Sequence, residues 1–341
     1  MRIIVTANHV PFVHGGADYH VEGLITQLRE RGHSVEALKI PFKFHPHGDI
    51  VKAMAFCREF DLTNPNGVTV DKLISLQFPG YGFKHPDHVV WLMHQHRAVY
   101  ELYGSGEDTE DLESLRREIV AYDNAVLAKV KKIFANSRRV QERLYHYNQI
   151  ASEPLYHPPF GESLFYCESF DDFIFFPSRL ERLKRQDLLI RAARYVRSPV
   201  VFLIGGEGGQ RAYYQSLIDE FDLRHRVRLI GAFSEAEKLA YYAHALAVFF
   251  GPRDEDYGYV TLEAMLAGKP VITCEDSGGP TEFVVPGQTG LVLPPEPEVI
   301  AEHIDRLYED KAWAEQLGAA GRAHYQCLNI TWDNVVQKLL A

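Results

Sequence analysis

Short apolar runs alternate with amphipathic segments from one end of the chain to the other, and few folds accept that rhythm. In the second half the runs 173–176, 200–204, 227–230, 247–250 and 271–273 read as strands, while 187–195, 234–244 and 260–267 carry helical spacing. In the first half strands are expected over 3–7, 34–40, 73–78, 89–92 and 132–135, with helices over 17–31, 49–59 and 111–130. Strands that are apolar on both faces belong to parallel sheets covered on each side by crossover helices. Ser234 with Glu237 forms a capping box that fixes one helix start. The pattern predicts an α/β protein with mainly parallel sheets in both halves.

A length of 341 residues suits two such domains. The seam is expected over 154–167, where Pro154, Pro158, Pro159 and Gly161 interrupt any regular element. Ligands of open parallel sheets sit beyond the carboxyl ends of the strands, so two sheets of this kind imply a site in a cleft between domains.

Charge narrows the partners. Acidic residues outnumber basic ones 46 to 36 and no long basic run compensates, which argues against a nucleic-acid binder. The run 129–143, with Lys131, Lys132, Arg138 and Arg139, reads as a solvated face in preference to a peripheral membrane contact. Cys57, Cys167, Cys274 and Cys327 stand singly, as buried thiols of a reducing compartment do. The first apolar run is too short for a signal peptide, and 239–250 is too short for a membrane span, so a cytoplasmic location is expected. His45 with His47, His85 with His88 and His94 with His96 lack the companions of a closed metal site, and no metal is expected.

Three stretches can carry chemistry. Gly15 and Gly16 lie between the first strand and its helix, where bare N–H groups and the helix dipole favour an anion, although two glycines also serve simply as a turn. Arg179 and Lys184 follow the strand 173–176, where a planar fork and a mobile ammonium suit a diphosphate. Glu255 and Glu263 frame a strand-loop-helix reversal, and carboxylates accept hydrogen bonds from sugar and ribose hydroxyls.

In this order the stretches resemble the family four glycosyltransferases of the GT-B fold. The two glutamates separated by seven residues are Glu255 and Glu263, followed by Gly268-Lys269-Pro270-Val271-Ile272, Gly278-Gly279-Pro280-Thr281-Glu282 and Gly287-Gln288-Thr289-Gly290-Leu291. Upstream the likeness takes in Gly15-Gly16, Gly32-His33, Ala135-Asn136-Ser137, Arg179 with Lys184, and Gly205-Gly206-Glu207-Gly208. The resemblance implies two Rossmann-like domains facing an interdomain cleft. Residues 1–160 would bind the acceptor, 161–325 the nucleotide-sugar donor, and a helix within 326–341 would pack back on the first domain.

By the same resemblance, Arg179 and Lys184 would hold the donor diphosphate and Glu263 the ribose hydroxyls. Glu255 would contact the donor sugar, and His94 would approach the transferred sugar, with His96 as its alternative in register. Gly15, Gly16, Gly205, Gly278 and Gly279 would bring backbone amides to the donor. The family commonly has glycine after the first glutamate, where this chain has Asp256. Asp254-Glu255-Asp256 also spells the aspartate-any-aspartate signature with which the other large glycosyltransferase fold holds a divalent ion. Its place in the second α/β half, beside Arg179 and Lys184, favours a metal-independent reaction without cofactor.

The implied activity is a retaining transfer of a hexose from a nucleoside diphosphate sugar to a hydroxyl of a sugar, lipid-linked or small-molecule acceptor. A nucleotide-sugar epimerase, a sugar phosphorylase or a non-catalytic nucleotide-sugar binding subunit on the same fold are the alternatives.

Overall fold

Apolar runs become strands and the amphipathic segments between them become helices throughout the computed structural model, which describes residues 1–12, 15–104 and 109–341. The chain divides into two units, Met1–His157 with Thr331–Ala341, and Pro158–Ile330.

In the first unit the elements run β1 (Arg2–His9), α1 (Gly16–Glu30), β2 (Ser34–Pro41), α2 (His47–Glu59), β3 (Lys72–Ser75) and β4 (His88–Leu92). They continue with α3 (Glu110–Leu127), β5 (Lys132–Ala135), α4 (Arg138–Asn148) and β6 (Glu153–Pro154). All six strands are parallel, in the order β2-β1-β3-β4-β5-β6. Alternation along β4 decides which helices cover which face. Val89 and Trp91 meet Val21, Leu24, Ile25 and Leu28 of α1, and the last helix, Trp332–Leu340, joins them through Val335, Val336 and Leu339. Val90 and Leu92 meet Ile50 and Met54 of α2, Leu115 and Ile119 of α3, and Val140 and Leu144 of α4. The last helix lies directly on α1: a Cβ added at Gly23 would stand 2.6 Å from the Trp332 ring.

The second unit repeats the plan with β7 (Phe173–Pro177), α5 (Gln186–Ala192), β8 (Val201–Gly205), α6 (Arg211–Glu220), β9 (Val227–Gly231) and α7 (Glu235–His244). Next come β10 (Ala247–Phe249), α8 (Tyr259–Leu266), β11 (Val271–Cys274), β12 (Gly290–Leu293), α9 (Pro297–Glu309) and α10 (Lys311–Cys327). The order β12-β11-β10-β7-β8-β9 is parallel throughout. The chain proceeds one way from β7 to β9 and then returns to place β10 on the other side of β7. That reversal makes a topological switch point, where loops after β7 and β10 diverge and leave room for a ligand.

The structure bears out the α/β class and parallel sheets, and it corrects several details. β3 ends at Ser75 instead of continuing to 78. The basic run 129–143 is not one solvated face: Lys132 opens β5, Arg138 opens α4, and Arg143 is buried with its Nη1 3.1 Å from Glu101 Oε1. Cys57 and Cys274 are buried, but Cys167 and Cys327 are exposed. Among the described residues no helix is long and apolar enough to cross a membrane.

Candidate active site

β7 ends at Pro177, and the chain turns through 178–185 against the loop that follows β8. Ser178 N–H donates to Gly205 O at 3.0 Å, and Leu180 N–H to Glu207 O at 3.0 Å. This approach explains the glycine run. A Cβ at Gly206 would lie 2.2 Å from Ser178 O, and one at Gly208 2.4 Å from Leu180 O. Gly205, expected to touch the donor, accepts from Ser178 and lies against the Phe233 ring, where a Cβ would come within 2.4 Å. Its smallness has a packing cause.

The turn ends on the two cations singled out by sequence. Arg179 is exposed, and among the described residues its guanidinium makes no hydrogen bond or ion pair, while its carbonyl accepts from Gln186 Nε2 at 2.8 Å. Lys184 Nζ pairs with Glu255 Oε2 and stands 5.7 Å from the centre of the Phe250 ring. Each side chain of that pair is 18% exposed, so its mutual attraction is less screened than at an open surface.

Glu255 is held by its backbone as well. Its N–H donates to Ser277 O at 2.9 Å, and its carbonyl accepts from Gly279 N–H at 2.8 Å, a short parallel ladder between the loops after β10 and β11. The ladder is what requires Gly278 and Gly279. Gly278 sits at φ +70°, where a Cβ would come 2.6 Å from Glu255 O, and a Cβ at Gly279 would come 2.6 Å from Tyr257 O. The Gly279 amide, expected at the donor, is therefore spent on Glu255.

Glu263 lies one turn into α8. Its Oε2 accepts from the Tyr242 hydroxyl at 2.6 Å and its Oε1 is 3.4 Å from Lys238 Nζ. Burial, and then the Glu263 charge, push the Tyr242 phenol well above its ordinary value, so it stays a donor to the carboxylate. Tyr242 and Lys238 went unnoticed in the sequence because both fall on α7, whose helical spacing alone accounts for them.

In the first unit, the anion site expected at Gly15 and Gly16 is partly filled from within. Asp18 accepts from the Gly15 N–H at 2.9 Å, capping α1 with its own carboxylate, and Gly16 opens the helix. Val13 and His14 of that loop lie outside the described residues. His94 is half-buried, with Nδ1 2.7 Å from Gln95 O, which makes Nδ1 the donor. His96, its alternative, is buried against Phe42, Phe44 and Phe78, and burial first, then neighbouring imidazoles, lower its pKa to about 4.

Arg185 is the residue that sequence reading passed over. Its Nη1 and Nη2 grip both oxygens of Asp276 at 2.8 and 2.7 Å, and Nε and Nη2 donate to the carbonyls of Gly251 and Pro252 at 2.8 and 2.9 Å. Within Arg182, Lys184 and Arg185 the sequence holds no signal that separates a ligand contact from a brace.

With this geometry in view, likeness to known proteins is informative. Residues 169–324 match the sequence model of the family described as Glycosyl transferases group 1. The D-inositol 3-phosphate glycosyltransferase of Thermobifida fusca is 30% identical over a stretch covering 49% of this chain and 41% of that protein. The match thus spans about two fifths of that relative's length. Sucrose-phosphate synthase from Thermosynechococcus elongatus superposes with a TM-score of 0.79 at 19% identity, over 99% of this chain and 98% of that one. The Anabaena protein HepE, solved with UDP-glucose, gives 0.72 at 18% identity over 100% and 98%. Residues 169–324 thus resemble the group 1 glycosyl transferases, and the fold is the GT-B fold of the solved structures it superposes on.

Proposed function

We propose that the protein transfers a sugar from a nucleoside diphosphate sugar to an acceptor hydroxyl, with retention at the anomeric carbon and without a metal ion. The observation that carries this reading is the Lys184–Glu255 pair beside the exposed Arg179, at the carboxyl edge of the second sheet. A diphosphate there meets two cations, and a sugar attached to it meets a carboxylate. The HepE complex with UDP-glucose supports that donor as the first to try, and the inositol phosphate and sucrose-phosphate relatives support a small hydroxylated acceptor.

In the proposed step the bond from the anomeric carbon to the diphosphate oxygen breaks and one to the acceptor oxygen forms on the same face. The acceptor's proton passes to the departing phosphate oxygen. Charge builds on that phosphate, so a cation fixed beforehand lowers the barrier more than it strengthens ground-state binding. Lys184 supplies this charge, and Glu255, already sharing its ammonium, accepts from a sugar hydroxyl. Glu263, oriented by Tyr242, accepts from the ribose. The acceptor belongs to the first unit, where His94 presents Nε2. A cytoplasmic location accords with this reading.

The test is incubation with UDP-, GDP-, ADP- and TDP-sugars and a panel of glycosides, inositol phosphates and sugar phosphates, with the product anomer read by NMR. A transferred sugar of the donor's own anomeric configuration, formed equally in chelator, is the expected result. An inverted product, or activity abolished by chelator and restored by magnesium, overturns the corresponding part of the reading. Epimerised donor in the absence of acceptor would replace transfer with epimerisation.

A further inference from the structure

Arg185 adopts φ +55°, a left-handed conformation uncommon for residues other than glycine. Its guanidinium makes four hydrogen bonds, which end on two other loops. Gly251 and Pro252 belong to the loop after β10, and Asp276 to the loop after β11. Backbone bonds run beside them: Arg253 N–H to Leu183 O at 2.8 Å, and Asp254 N–H to Asp276 O at 2.9 Å. Three loops meet on one planar group. Lys184 is its neighbour in the chain, and Glu255 follows the segment it grips.

We infer that Arg185 is a positioning residue that fixes where Lys184 stands relative to Glu255 by tying the loops after β7, β10 and β11 into one frame. The guanidinium does this because its donors lie in a rigid fork that meets a carboxylate and two carbonyls at once, whereas an ammonium offers one point of attachment. Arg185 itself need not touch a ligand, since four of its five N–H donors are already engaged within the frame. The role in catalysis rests on the proposed transfer reaction, but the bracing of the loops does not.

The experiment compares the full-length protein with Arg185→Ala, Arg185→Lys, Arg185→Gly and Asp276→Asn. Hydrogen exchange is read at 251–256 and 276–279, and donor kcat and KM are measured alongside. Loss of the brace is expected to speed exchange at Arg253, Asp254 and Glu255 by about tenfold or more in Arg185→Ala, with the amides of β8 and β9 unchanged. It should lower kcat by about tenfold or more while KM moves by less than about threefold, because a misplaced charge fails mainly in the transition state. Arg185→Lys and Asp276→Asn should fall between. Arg185→Gly, which relieves the backbone, should melt near the wild type yet lose kcat like the alanine variant.

Unchanged exchange at 251–256 in both Arg185→Gly and Asp276→Asn overturns the bracing. Faster exchange with kcat and KM retained overturns the catalytic part. Should Arg185→Ala fail to fold, the asparagine and lysine variants decide. If the wild type turns over no donor, the transfer reading fails, while the exchange result still decides the brace.

Discussion

Two sheets of six parallel strands, built on the same alternation, place their histidines differently. The first unit buries several of them. Burial lowers His20 to about 3 and His88 to about 4, holds His157 well below the usual imidazole range, and with neighbouring imidazoles takes His96 to about 4. Asp123 is buried too, raised to about 7 by desolvation while the hydroxyls of Tyr81 and Tyr100 donate to it. In the second unit the four histidines, His225, His244, His303 and His324, are half-buried or exposed, and the Lys184–Glu255 and Arg185–Asp276 pairs gather in the loops at one sheet edge. The comparison teaches that apolar alternation sets the fold, while polar placement decides separately which unit buries imidazoles and which gathers ion pairs at a sheet edge.

The largest effect expected within this contrast is steric. Gly206→Ala forces a Cβ to within 2.2 Å of Ser178 O at φ +114°. It should cost the second unit about 3 kcal/mol or more and leave the first unit's transition in place. Gly32→Ala, at φ +81° with nothing within 4 Å, should cost only about 1 kcal/mol. Denaturant unfolding followed by unit-specific probes reads both, and equal costs would remove the claim that loop contact dictates these glycines.

A smaller effect concerns acid. Four imidazoles have folded pKa values below the unfolded value, so the stability they represent is present above about pH 6.5 and is lost as pH falls toward their folded values. Asp123 acts with the opposite sign, losing stability as pH rises through about 7, but it is one group against four. The melting temperature of the first unit should fall by at least about 5 °C between about pH 7 and about pH 5, and that of the second should move less. His20→Phe, which keeps a ring against Trp91, should reduce the slope. An equal fall in both units would break the comparison.

The strands were legible because residues buried on both faces of a sheet leave unbroken apolar runs, as in Phe173–Pro177 and Val271–Cys274. The expected helix over 260–267 and the capping box at Ser234 appear as α8 and α7, shifted by a residue at most. Less legible were α6, α9 and α10, whose polar faces resemble loops when no partner is known. At the candidate site, Lys184, Glu255 and Glu263 stood out by their place after strands and by the glycosyltransferase motif they resemble, not by spacing alone. The roles of Gly206, Gly278 and Gly279 did not, because close backbone approach and ligand contact ask for the same residue. Arg185 was hidden among like charges, and the imidazoles of His20 and His157 meet only after folding, 4.0 Å apart beside Trp91.

The central claim, that the second unit grips a diphosphate through Lys184, is tested most directly by titration calorimetry on a double comparison. The nucleoside diphosphate that binds tightest and its parent nucleoside are each titrated into the wild type and Lys184→Ala. The account predicts that the diphosphate outbinds the nucleoside by about a hundredfold in the wild type and that this advantage shrinks by about tenfold or more in the variant. An advantage of the same size in both proteins would contradict it.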